Sequence, residues 1–389
     1  MDRFDRLPLL LDPIPDLRRA GMPAGERPEL WCPAHPEPAV RLLAQSPGAG
    51  AGTLCAPTLC ANRFCLPGED IPALNQKLVA LARRAAGRTP VGALVGPSGL
   101  FVPPLGEADF DDIYEGYREQ IRALDEAGAD FLVLEGHSAL SDLRAGLLAA
   151  RTTGLPVLAL LSADRTGRTL TGLRLLPALI TLQAMGAGAV GLCCPAAPET
   201  AREVEGAVPH AAVPLAVRLE EDAAPDALAG AAAPFLSAGA RILGGGIHSS
   251  GPEYTRALRG ALQKAGSPAP PEEPDCEAAA IEREAFFLGD DVSFSEPIAC
   301  TTSLGDNLID LEDEQVSAAL VLVTSADDAL LLGRESGLTK LPIAVRASSP
   351  VVLDAALRYF QGRLIVDSAS PLDRETLEPL AAKYGALIY

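Results

Sequence analysis

Eight short apolar runs punctuate the first two thirds of the chain, and each has the length of a buried strand. Leu9-Leu10-Leu11 ends in Asp12, and the others cover 51–58, 91–96, 130–135, 156–161, 189–193, 213–218 and 240–243. They are nearly continuous rather than alternating, the pattern of strands covered on both faces. Helical periodicity follows each run. It is plainest over 113–127, where Ile113, Tyr117, Ile121 and Leu124 recur at three- and four-residue steps. Glycine stops close these helices at Ala86-Gly87, Ala127-Gly128, Thr153-Gly154, Met185-Gly186, Ala238-Gly239 and Ala265-Gly266. Eight strand–helix units in ~250 residues predict a (β/α)8 TIM barrel over 1–265.

Residues 266–275 are rich in proline and acid, Gly266-Ser267-Pro268-Ala269-Pro270-Pro271-Glu272-Glu273-Pro274, and predict a semi-stiff linker. Beyond it, 276–389 predicts a smaller α/β domain. Strands fall at 319–324, 341–345, 364–367 and 387–389, and helices at 326–335, 351–360 and 374–384. A parallel sheet of that size leaves its edges open. It is therefore expected to dock on the barrel or on a second copy of the chain in a homodimer.

The whole chain of 389 residues is 48% hydrophobic, with only 4% aromatic residues, so small aliphatic side chains carry the core. The formal net charge of −19 disfavours nucleic acid and anionic membrane surfaces as partners. No apolar run reaches the ~18 residues of a membrane span. The first residues, Met1-Asp2-Arg3-Phe4-Asp5, lack a signal-peptide profile. A cytoplasmic protein is expected, and its eight cysteines are then thiols rather than disulfides.

In a barrel of this kind chemistry sits on the loops after the strands. That rule selects Asp12, Thr58, Cys60, Gly96, Glu135, His137, Cys193, Cys194 and the loop 244–250, including His248. Several of these lie in recognisable settings. Thr58-Leu59-Cys60-Ala61-Asn62-Arg63, Gly96-Pro97-Ser98-Gly99, the strand 130–135 ending in Glu135, Gly191-Leu192-Cys193-Cys194 and the glycine-rich Gly244-Gly245-Gly246 together resemble the homocysteine S-methyltransferase family. The likeness is strongest to the homocysteine-binding domain of cobalamin-dependent methionine synthase. Residues 356–363 and 381–386 resemble a piece of the folate domain that follows it there, so 276–389 resembles half of a pterin-binding barrel.

The resemblance implies thiol methylation, with homocysteine or a related small thiol as acceptor and Asp12 and Glu135 orienting it. Thr58 and Ser98 are the matching substrate-binding positions. It also implies a zinc ion held by three cysteines, which converts the thiol to a thiolate. Of these three only Cys194 is present; where the family has Gly-Gly-Cys-Cys, the cysteine pair is replaced by Ile247-His248 when aligned from the helix side and by Gly246-Ile247 when aligned from the strand side. Adjacent residues at a strand end point to opposite faces. Cys194 with His248 is therefore the candidate metal pair, with Cys193 facing away and zinc held weakly. Proline replaces glycine in the first loop (Pro13, Pro15), and Leu219-Glu220-Glu221 replaces an expected Asn-Ala-Gly. This segment contains no corrinoid-binding domain, so the methyl group would come from a separate corrinoid protein or a small donor. Two functions remain open: a methyltransferase with an altered site, and a non-catalytic scaffold or regulatory subunit that assembles with a methyltransferase subunit. No folate binding is expected, because Arg346 and Asp367-Ser368 stand at the strand ends where an acid and Asn-Ser are expected.

Overall fold

A computed structural model describes residues 4, 9–11, 15–266, 271, 274–289, 291–314 and 316–389. The predicted first-loop acid Asp12 and most of the linker lie outside the described residues. Eight parallel strands form one sheet: β1 (Leu9–Leu11), β2 (Leu54–Ala56), β3 (Val91–Val95), β4 (Phe131–His137), β5 (Val157–Ser162), β6 (Ala189–Cys194), β7 (Leu215–Leu219) and β8 (Ile242–Gly245). They run in the order β1-β8-β7-β6-β5-β4-β3-β2, a TIM-barrel-like arrangement. Among the described residues no ladder joins β1 to β2, where closure of the barrel was expected.

Strand alternation sorts the side chains into two layers. Cys55, Leu94, Val133, Leu158, Cys193, Ala216 and Ile242 share the buried cluster inside the sheet. The residues between them, including Ala93, Leu134, Ala159, Leu192, Cys194 and Leu219, pack outward in the cluster that also holds the helices. One irregularity matters for the site. The register between β4 and β5 shifts between Leu134 and His137, at Gly136 with φ +81°. Only glycine adopts that conformation cheaply. The bulge leaves Glu135 on the inner face and turns His137 outward toward Tyr117 and Asp142.

A hairpin follows, β9 (Ala278–Ala280) with β10 (Ala285–Phe287), and packs against Ile180 of the barrel helix Leu175–Ala184. A second parallel sheet runs β11 (Ile298–Ala299), β12 (Ala319–Val323), β13 (Ile343–Ala347), β14 (Ile365–Val366) and β15 (Leu387–Ile388) in sequence order. The hairpin and β11 have no counterpart in the sequence reading. Each is two or three residues long, too short for a periodic signal to stand out.

The second sheet unit is bound to the barrel through helix ends. The last carbonyls of a helix lack partners within it and attract cations. Arg144, on the barrel helix Leu140–Ala150, donates to the carbonyls of Leu357, Arg358 and Phe360, at the end of the helix Pro350–Tyr359. Arg151 donates to Ala382 and Lys383, in the last turn of the helix Arg374–Tyr384. Arg144 is fully buried, and that burial pulls its guanidinium down to about 10. Leu143 and Leu147 of the barrel share one apolar cluster with Leu357 and Phe360. The second unit thus docks on the barrel through the ends of two of its helices.

Candidate functional site

The inner face of the barrel at its carboxyl end is organised around an ion pair. Glu135 leaves β4 and Arg218 leaves β7, both pointing inward, and the guanidinium Nη1 contacts Glu135 Oε2. Arg218 Nε donates to the carbonyl of Gly245, 3.0 Å away. Arg218 is only 3% exposed. Burial opposes its charge, and the carboxylates of Glu135 and Glu220 outweigh that penalty and hold it above its ordinary range. Burial likewise pushes the Glu135 carboxyl up, while Arg218 draws it back down.

The glycines of the 244–246 turn make room for this group. A side chain at Gly244 would stand 3.5 Å from Arg218 Cγ and 3.0 Å from the Leu11 carbonyl. A side chain at Gly246 would collide with the Glu220 carboxylate. The rim above is tied by Ser250, whose hydroxyl accepts the Asp16 amide at 3.1 Å and donates to Ile247. Arg19 donates to the Ser250 carbonyl.

Of the expected site residues, Glu135 lies inside the mouth and is engaged by Arg218. Cys194 does not join it. It is fully buried on the outer face of β6, in the layer beneath the helices, and burial pushes its thiol up to about 12. The placement of Cys194 at the mouth is therefore corrected. Cys193 is the inward thiol, in register with Arg218, and burial followed by the Glu135 charge raises it well above the ordinary thiol range. Cys193 and Cys194 do point to opposite faces, and β6 runs one residue out of phase with the expectation. His248 is exposed on the rim, near the Asp16 carboxylate.

Thr58 is buried, and its hydroxyl donates to the Leu94 carbonyl at 2.7 Å. The Ser98 hydroxyl donates to Asp142 Oδ1 at 2.8 Å. That carboxylate also accepts from Tyr117 at 2.7 Å, and the Tyr117 hydroxyl lies 3.2 Å from His137 Nε2. Burial lowers the basicity of His137 against the opposing pull of Asp142, and its Nδ1 has no partner. This polar cluster sits outside the strand wall and braces the loop after β3.

These donors do not fit zinc in the manner the sequence resemblance implies. Cys194 faces away from the mouth, His248 stands on the rim, and Glu135 is held by a cation. Among the described residues no group of three His, Cys, Asp or Glu side chains is placed to hold a metal ion. Arg218 escaped the sequence reading because it was counted only as the last residue of an apolar run. The signal was there: a charge inside a barrel strand must find a partner, and Glu135 ends a strand of the same barrel.

The model of the homocysteine S-methyltransferase family matches residues 49–262, more than half of the chain. The chain is 26% identical over 397 residues to methionine synthase of Mycobacterium tuberculosis, which covers 87% of this chain and 33% of that protein. It is 24% identical over 385 residues to methionine synthase of Mycobacterium leprae, covering 82% of this chain and 31% of that protein. The chain thus spans about a third of the length of these curated relatives. Among solved structures it resembles the homocysteine methyltransferase MmuM from Escherichia coli. The metallated form matches with TM-score 0.55 at 24% identity, covering 65% of this chain and 95% of that one. The oxidized form matches with TM-score 0.56 at 25% identity, covering 66% and 97%. No helix among the described residues is long and apolar enough to cross a membrane. The eight-stranded parallel sheet, the mouth built from its strand ends and the match over 49–262 lead to one conclusion: the chain belongs to the homocysteine S-methyltransferase family.

Proposed function

We propose that this chain is a non-catalytic member of its family, a scaffold or regulatory subunit of a methyl-transfer system rather than a zinc-dependent thiol methyltransferase. The observation that carries this reading is the Arg218–Glu135 pair. A thiol acceptor needs an open mouth with a carboxylate free to take its ammonium group. Here a guanidinium from the chain itself already holds that carboxylate, deep in the barrel. Opening the site would strip Glu135 of its counter-charge in a dry setting, at a cost of several kcal/mol. Among the described residues the metal needed to form the thiolate has no donor set around the same point, and the thiols nearby are pushed away from ionisation. The partner suited to such a subunit is a corrinoid protein or a methyltransferase subunit, which would meet the acidic surface of the chain.

The test takes the purified chain with one equivalent of zinc, adds homocysteine, and follows heat of binding and methionine formation from methylcobalamin. Neither signal is expected above that of a zinc blank. Sedimentation of the chain with a purified corrinoid-binding protein is expected to give a discrete complex. Stoichiometric zinc with homocysteine turnover would overturn the reading in favour of a methyltransferase with an altered site.

A further inference from the structure

The loop that leaves β2 carries Cys60 and Cys65, and the turn between them is closed on itself. Asn62 is fully buried, and its Oδ1 accepts the amides of Phe64 at 3.0 Å and Cys65 at 2.9 Å. The Leu66 amide donates to the Asn62 carbonyl at 2.9 Å. A short side chain that bonds the backbone just ahead of it folds the chain back. Cys65 is thereby brought onto Cys60, and the two thiols are hydrogen-bonding neighbours. The backbone of both is clamped from the start of the helix Pro28–Ala34. Glu29 Oε1 accepts the Cys60 amide at 2.8 Å, and Arg27 Nη1 donates to the Cys65 carbonyl at 2.9 Å.

Access and proximity together set this pair apart. Cys32, Cys55, Cys193 and Cys194 are buried away from solutes, whereas Cys60 and Cys65 are free thiols that are each half-exposed. Thiols already in contact bond by side-chain rotation alone, without movement of the backbone. The two sulfurs are not equivalent. Burial, then the Glu29 carboxylate and the neighbouring thiol, push Cys60 up to about 12, so it keeps its proton. The thiolate is the form that attacks an oxidant, and that step therefore falls to Cys65.

We propose that Cys60 and Cys65 are an oxidative modification site, a thiol pair that a hydroperoxide converts to a disulfide across the turn. The Cys65 sulfur attacks the peroxide; an S–O bond forms, the O–O bond breaks, and with hydrogen peroxide one water leaves. The Cys60 sulfur then attacks the Cys65 sulfenic acid; the S–S bond forms, the S–O bond breaks, and the hydroxyl leaves with the Cys60 proton as a second water. Two electrons pass from the sulfurs to the peroxide. A disulfide is a strong oxidant when its reduced form is stabilised as a thiolate. Cys60 lacks that stabilisation, so the bond persists until a dithiol reduces it. The link ties the loop between β2 and the helix Ile71–Ala86 at the carboxyl end of the barrel. The site does not involve the Arg218–Glu135 pair, so it stands whether or not the chain transfers methyl groups.

The test treats the full chain with hydrogen peroxide, blocks remaining thiols with iodoacetamide and digests with trypsin without reduction. Cleavage after Arg63 separates Cys60 from Cys65, so the disulfide is read by mass spectrometry as a covalent pair of the peptides 42–63 and 64–77. The pair is expected, with both thiols lost to alkylation together and recovered by dithiothreitol. Peptide 42–63 also holds Cys55. Cys55→Ser should therefore leave the pair unchanged, while Cys60→Ser and Cys65→Ser should each abolish it. A thermal melt equal to the parent confirms that these variants are folded. Dimedone, which traps sulfenic acid, should label Cys65 in Cys60→Ser; label on Cys60 in Cys65→Ser instead would overturn the order of attack. Oxidation of the exposed Cys276 while Cys60 and Cys65 both remain open to alkylation, or a pair that is lost in Cys55→Ser, would overturn the proposal.

Discussion

Removing one member of the Arg218–Glu135 pair should destabilise the protein far more than removing both. Two charges ~4 Å apart attract by about 4 kcal/mol at the effective dielectric of a protein surface, and more when buried. Each also gives up several kcal/mol of hydration to be inside. The net value of the pair is therefore small, while an orphaned partner is expensive. In Glu135→Gln, Arg218 stays charged, because a guanidinium does not release its proton in a protein. Its remaining partners are the Gly245 carbonyl and the Glu220 carboxylate, so the loss should be about 3 kcal/mol, at the low end for a broken buried pair. Arg218→Met leaves a carboxylate that can take up a proton, which caps the penalty at about 4 kcal/mol at neutral pH. That penalty shrinks as the pH falls, because protonation of Glu135 then costs less. The double variant Glu135→Gln with Arg218→Met should return to within about 1 kcal/mol of the parent. Urea unfolding followed by circular dichroism at pH 7.5 and 5.5 measures all four proteins. The coupling energy, the two single losses less that of the double variant, should be about 3–6 kcal/mol, and the Arg218→Met loss should be smaller at pH 5.5. Additive losses in the double variant would refute the reasoning, since they would mean that the two charges do not depend on each other.

Three further outcomes follow from the same kind of argument. His137 is buried with its basicity lowered, so below pH ~6.5 the unfolded chain takes up a proton that the native one refuses; stability should fall by up to about 1.4 kcal/mol per unit as the pH drops from there, and urea titrations of His137→Leu should lack this slope. Arg144→Met strips three carbonyls of their donor at the end of the helix Pro350–Tyr359 and should cost about 3 kcal/mol; a change under about 1 kcal/mol in urea unfolding would show that water replaces the arginine there. Purified protein should carry well under one zinc per chain by elemental analysis, and Cys194→Ala should leave that value unchanged, because the thiol faces the helices; a zinc content that fell with Cys194→Ala would restore it as a ligand.

Much of the fold was legible before any coordinates. Continuous apolar runs of strand length, separated by helical periodicity and glycine stops, are local signals, and all eight barrel strands overlap the runs that predicted them. The same holds for β12 to β15. Composition and spacing also carried the family frame, since glycines and strand ends keep their places even when site residues change. What the sequence left open was the direction of each side chain and the partner it meets. A strand has a period of two, so one residue of phase exchanges its faces; the phase of β6 is set by its ladder to β7, where Cys193 lies opposite Arg218, and local pattern does not encode it. Arg218 and Glu135 are 83 residues apart and Arg144 and Phe360 are 216 apart, so only the closing of the sheet and the docking of the second unit bring them together. The decision about the mouth, whether a carboxylate waits for a ligand or is already held, belongs to that long-range geometry, because burial makes a charge depend on whichever partner the tertiary fold delivers.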